Sequence, residues 1–173
     1  DHAVNKMLDS DADIIRGNPT LSDREKEFQL NGLEMSRMQF ESLLDREKFE
    51  ELRGKGEFRL SHKGFLAALF INLYRDEPML YTPFKYLTLL LDIDYLFTNW
   101  RQRHAMMVQR MLGAKIGTGG SSGHNYLNAT TRQNRVFLDL FKLSTFLIPR
   151  ADLPVLPDEL RRGLGFFFHG ENH

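Results

Sequence analysis

The chain has 173 residues, of which 42% are hydrophobic and 27% charged, with 23 Lys and Arg against 23 Asp and Glu and no cysteine. That length suits one compact domain, and a net charge of zero gives no bulk attraction to nucleic acid or anionic lipid. Without cysteine there are no disulfides, thiolate metal sites or cysteine nucleophile, which fits a reducing, cytoplasmic compartment; no apolar run approaches the ~20 residues that span a bilayer.

Residues 1–20 read as a polar, irregular and mobile N-terminal segment, or one docked on something outside the chain. Val4, Met7, Leu8, Ile14 and Ile15 allow a short helix ending near Gly17, and Asn18-Pro19 breaks it. No signal-peptide pattern is present, and the chain opens on Asp1, as expected of a processed product, a fragment or a trimmed chain.

Ser22 is an N-cap candidate with Asp23 and Glu25 in the first turn. Phe28, Leu30, Leu33, Met35, Met38, Phe40, Leu43 and Leu44 then give a loose helical period, weakened at Asn31-Gly32. Asp45 caps a short helix through Phe49 and Leu52 that stops at Gly54-Lys55-Gly56. Ser61 caps the next, from His62 to about Arg75, with Phe65, Leu66, Leu69, Phe70 and Leu73 on one stripe. Glu77-Pro78 ends it.

Thr82-Pro83 is expected to open the main helix, with Pro83 at the first helical position. No breaker follows until Gly113, which gives a rod of roughly 45 Å. Leu90, Ile93, Phe97, Trp100, His104, Met107 and Met111 recur at spacings of three and four, so His104 is expected on a buried stripe. Asp92 and Asp94 are expected to pair with arginines of neighbouring helices. Arg132 to Ile148 reads as another core-facing helix stopped by Pro149, and Asp158 to Arg162 as a short one. Phe166, Phe167 and Phe168 are expected to pack on another chain or on a part of the protein outside this one. No stretch reads as a strand, so the fold class is all-α: a helical bundle with one long central helix. The expected divisions are residues 1–20, a helical domain at 21–165 and a tail at 166–173.

Two features carry candidate chemistry. A lone histidine on an apolar stripe is either a satisfied core histidine or an axial ligand to haem iron. Trp100, Met107 and Met111 would wall the ligand, with Arg101, Arg103 and Arg110 near enough to meet propionates or acidic side chains. No second histidine lies one turn on, so a zinc site is disfavoured. The second feature is the loop Gly117-Thr118-Gly119-Gly120-Ser121-Ser122-Gly123. It is neither a Walker loop nor a dinucleotide fingerprint. It is either a flexible linker or a substrate loop in which Thr118 gives a hydroxyl and a backbone N–H to an anionic or zwitterionic ligand. The other histidines, His2, His62, His124, His169 and His173, give no such pattern.

Trp100-x-x-x-His104, then Met107, Arg110-Met111, Gly113 and the loop from Gly117 to Gly123, resembles the tryptophan 2,3-dioxygenase family. Phe58-Arg59-Leu60-Ser61, Tyr74-Arg75-Asp76-Glu77-Pro78, Asp92-Ile93-Asp94 and the stretch from Val136 to Arg150 extend the likeness from about Phe40 to Leu164. The resemblance implies an all-helical, homotetrameric enzyme containing haem b that uses O₂ to convert L-tryptophan to N-formylkynurenine, the first step of tryptophan catabolism by the kynurenine route. By the same resemblance, His104 is the axial ligand of the haem iron, Trp100 its proximal wall, and Thr118, with Gly117 and Gly119, the binding site for the substrate's amino-acid group.

The chain departs from the family pattern where a distal histidine and a Phe-x-x-Phe-Arg segment are expected; those lie upstream of what this chain contains. Met38-Gln39-Phe40 lacks the arginine. The expectation is therefore a dioxygenase chain that works with its N-terminal half or a companion chain, without nucleic-acid or membrane partners. The alternatives are a haem enzyme for another indole or aromatic amino acid, or a non-catalytic haem-binding module. Met79 after the Tyr-Arg-Asp-Glu-Pro run, and Gln102-Arg103 before His104, are smaller departures.

Overall fold

The computed structural model describes residues 2–112 and 135–165. Among these there is no strand. The chain divides into two compact units, residues 1–81 with 143–173, and residues 82–142.

The first unit opens on α1 (His2–Gly17) and α2 (Asp23–Leu44). The N-terminal stretch that reads as irregular in sequence is helical because α2 gives it an apolar surface: Leu8 and Ala12 are buried. Arg37 of α2 adds hydrogen bonds to Asp9 (2.7 Å) and Asn5 (3.0 Å) of α1. Ser22 caps α2 as expected, in a full capping box: its hydroxyl accepts from the Glu25 N–H, and the Glu25 carboxylate accepts from the Ser22 N–H at 2.8 Å. Gly32 does not interrupt the helix, but only Phe40 and Leu43 at its C-terminal end are buried; Phe28, Met35 and Met38 stay exposed.

Asp45 ends α2 and caps α3 (Arg46–Gly54), its carboxylate accepting from the N–H groups of Glu47 and Lys48. Gly56 follows at φ +83°, the left-handed conformation that ends helices and favours glycine. Ser61 caps α4 (His62–Leu73). His62 Nε2 donates to the Leu43 carbonyl at 2.7 Å, since a carbonyl only accepts, and this joins the start of α4 to the end of α2.

The core of this unit is aromatic. Phe49 and Phe65 are fully buried. Phe65 packs edge-on to Phe58 (5.2 Å) and Phe146 (5.7 Å), while Phe49 stacks on Phe58 at 4.6 Å. Phe146 belongs to a 3₁₀ turn, Leu143–Phe146. The sequence around it reads as one helix from Arg132 to Ile148. Among the described residues the helical part is instead α6 (Leu138–Lys142) followed by that turn. The Val136 N–H is taken by a side chain, and Pro149 forbids extension at the other end. A second 3₁₀ turn, Arg150–Asp152, and α7 (Asp158–Leu164) complete the described chain. Phe166, Phe167 and Phe168 lie outside the described residues.

The second unit is built on α5 (Pro78–Leu112), whose first turn belongs to the first unit. The start differs from expectation. Pro78 opens the helix, and Pro83 sits inside it. Proline needs no N–H in the first turn, so Pro78 takes that place and the helix runs on past Pro83 with one backbone bond fewer. The helix is 35 residues long, about 52 Å at the usual rise per residue. No helix among the described residues is long and apolar enough to cross a membrane.

Candidate functional site

From Ile93 to Met111, α5 carries two faces that differ in a way the periodicity alone does not reveal. Positions 94, 98, 101, 105 and 108 form one face, with Asp94 and Ala105 each only 1% exposed. Positions 93, 97, 100, 104, 107 and 111 form the other, with Trp100 63% and Met111 75% exposed. The stripe bearing His104 is therefore open, where the sequence suggests a buried one. Periodicity reports which residues share a face; it does not report which face finds a partner, and here the covered one carries Asp94, Thr98 and Ala105.

His104 is exposed. Its imidazole lies 5.8 Å from the Trp100 indole, centroid to centroid, with 14° between the ring planes. One turn of helix separates the two residues, so the stack is the direct product of an i, i+4 spacing. Ile93, Leu96, Phe97 and Trp100 line a shallow apolar recess of about 410 Å³ along the same helix. Arg103 and Arg110 are exposed as well.

The donor set suits a particular kind of metal group. Among the described residues no three His, Cys, Asp or Glu side chains are grouped to hold a bare ion. One exposed imidazole amid aromatic and thioether side chains is too little for a hydrated cation. It is the right complement for an iron already held by a flat, apolar macrocycle, which needs one axial nitrogen and a greasy surface. The residues present fit haem on those grounds. Gly117, Thr118 and Gly119 lie outside the described residues.

Asp94 is a residue whose role the sequence does not disclose. An arginine partner is expected; instead its Oδ1 accepts the backbone N–H of Val136 at 2.9 Å, 42 residues along the chain. No local pattern announces a bond of that span. Thr98 Oγ1 donates to the Asp94 carbonyl one turn back along α5, at 2.9 Å.

The family model described as Tryptophan 2,3-dioxygenase matches residues 2–147. The chain is 50% identical over 165 residues to a tryptophan 2,3-dioxygenase from Alteromonas mediterranea, covering 95% of this chain and 46% of that protein. It is 49% identical over 166 residues to one from Bdellovibrio bacteriovorus, covering 96% and 46%. A Dictyostelium discoideum relative of the same name is 45% identical over 165 residues, covering 95% and 41%. The chain thus spans less than half the length of these curated relatives. The family match reaches residue 2, well upstream of Phe40, where the legible sequence resemblance begins.

Proposed function

The chain belongs to the tryptophan 2,3-dioxygenase family, and from that premise we propose that it is the iron-ligating part of a haem-dependent dioxygenase. Its substrates are L-tryptophan and O₂. Its product is N-formylkynurenine, in which both oxygen atoms are added and the indole C2–C3 bond is broken. The observation that carries the reading is the exposed imidazole of His104, stacked on Trp100 on an apolar helix face.

Haem b, when bound, supplies the oxygen chemistry. The chain's own residues do the rest. His104 gives one ring nitrogen to the iron. Trp100 walls the imidazole and limits its rotation, and the surrounding methionines and phenylalanine exclude water. Arg103 and Arg110 provide positive charge for the propionates. Thr118, with Gly117 and Gly119, holds the ammonium and carboxylate of the substrate through a hydroxyl and backbone N–H groups, so that the indole is presented in one orientation. The upstream half of the enzyme, in the same polypeptide or a companion chain, contributes the other wall. The whole is a cytoplasmic homotetramer.

The test is the visible absorption spectrum of the protein combined with its upstream half, before and after L-tryptophan is added. A Soret band that shifts with tryptophan is expected. Its absence from the combined protein overturns the reading.

A further inference from the structure

The chain from Arg150 to Leu156 is fastened to the end of α4 at two points. Arg150 forms an ion pair with Asp76, and the Tyr74 hydroxyl donates to the Pro154 carbonyl at 2.9 Å, across 80 residues of sequence. A cavity of about 370 Å³ opens at this junction, within the first unit. That volume lies at the lower end of the range for small-molecule sites, roughly 300–1,000 Å³. Leu73, Leu153 and Leu156 give it an aliphatic lining, and Val155, 86% exposed, stands in the same wall. Four charged side chains also line it. Asp76 and Arg150 neutralise each other. The side chains of Glu77, half-buried, and Arg161, on α7, have no hydrogen bond or ion pair among the described residues. Two opposite charges thus share one small cavity without meeting across it.

We propose that this cavity is a binding site for a free α-amino acid with an aliphatic side chain. The carboxylate of such a ligand pairs with the Arg161 guanidinium, whose planar fork offers it two parallel N–H donors. Its ammonium donates to the Glu77 carboxylate, and its side chain lies on the leucines. A ligand with a single charge would displace water from both protein groups and pair only one of them, which costs free energy at the other. The one aromatic ring in the wall is that of Tyr74, whose hydroxyl is already engaged by Pro154, so the lining matches branched aliphatic carbon. The proposal needs neither haem nor the substrate-binding residues named above, and it is tested without them.

The test is a titration of L-leucine into the full 173-residue chain, followed at the backbone amides by two-dimensional NMR. Saturable shifts centred on residues 73–77 and 153–156 are expected, with a Kd on the order of 1 mM. Glu77→Gln and Arg161→Gln should each weaken binding about tenfold, the worth of one charged partner. Arg162→Gln changes the neighbouring residue, whose Nε already donates to the Asp158 carbonyl, and should bind within about twofold of the parent. Two analogues assign the charges. L-Leucinamide lacks the carboxylate and 4-methylpentanoate lacks the ammonium; each should bind the parent about tenfold more weakly than leucine. Leucinamide should lose nothing further on Arg161→Gln, and 4-methylpentanoate nothing further on Glu77→Gln. Because the analogues are compared on the parent chain, the test stands even where a variant fails to fold. No saturable shift at ten times that Kd overturns the proposal. So do shifts that leave these segments untouched, equal binding of leucine and its two analogues, or folded Glu77 and Arg161 variants that bind like the parent.

Discussion

The Trp100 indole and the His104 imidazole lie 14° from parallel with centroids 5.8 Å apart, and both rings face outward from α5. An exposed pair of this kind adds little to the stability of the chain. Its geometry does restrict the histidine: the indole occupies one side of the imidazole, so the ring nitrogens point along a limited set of directions. Order at an exposed ring is what a metal ligand needs and what a solvated surface histidine lacks.

His104→Ala is expected to abolish haem retention in the combined protein while leaving its helicity unchanged. The Soret band together with far-ultraviolet circular dichroism checks this. A normal haem spectrum in the variant would sink the assignment of His104 to the iron.

Trp100→Ala separates the wall from the fold. The side chain is 63% exposed, so thermal stability should change by no more than about 0.5 kcal/mol. Haem affinity should fall by about three- to tenfold, the worth of one aromatic contact. Titration of haem into the variant reads the loss of affinity independently of any change in stability.

Thr118→Ala removes one hydroxyl from the residues proposed to hold the substrate. The expected outcome is a tryptophan affinity weaker by about three- to tenfold with haem content unchanged. Equilibrium titration followed at the Soret band measures it, and an unaltered affinity would count against the role proposed for Thr118.

Phe65→Ala strikes the core of the first unit. Phe65 is fully buried against Phe49, Phe58 and Phe146. Denaturant unfolding should show a loss of about 3–5 kcal/mol. Phe28→Ala, at a position 80% exposed on α2, should change stability by less than about 0.5 kcal/mol in the same assay.

The capping box of α2 makes a pH prediction. Hydrogen bonds from the Ser22 hydroxyl and then the Ser22 N–H hold the Glu25 carboxyl below its ordinary value of 4.5. A carboxyl group with a lowered folded pKa contributes stability above its unfolded pKa and loses it as the pH falls through the folded value. The helicity of the α1–α2 region should therefore decline on acidification below about 4.5, and Ser22→Ala should flatten that limb without altering the alkaline one. Circular dichroism across an acid titration of both proteins tests the difference.

Much of the fold is legible because it is fixed by neighbouring residues. Ser22, Asp45 and Ser61 each cap the helix that follows through side-chain oxygens a few residues from the N–H groups they satisfy. Phe65 and Leu69 declare their buried face by spacing alone. What is not legible depends on partners distant in sequence. Asp94 looks like an arginine's partner until Val136 is found beside it. Pro83 looks like a helix start because Pro78, five residues earlier, looks like a stop. In the candidate site, the pairing of Trp100 with His104 follows from a four-residue spacing, but the openness of their face does not. It depends on where the covering elements lie, and a repeat of three and four is silent on that.

Ala105 is 1% exposed although His104, the residue before it on α5, is open. Successive residues on a helix are turned by about 100°. The headings of the two side chains are therefore tied: neither can turn about the helix axis without the other. A bulkier residue at 105 has to find room that a buried methyl group does not need, and any roll of the helix that makes the room carries His104 round with it, although its own atoms have not been touched.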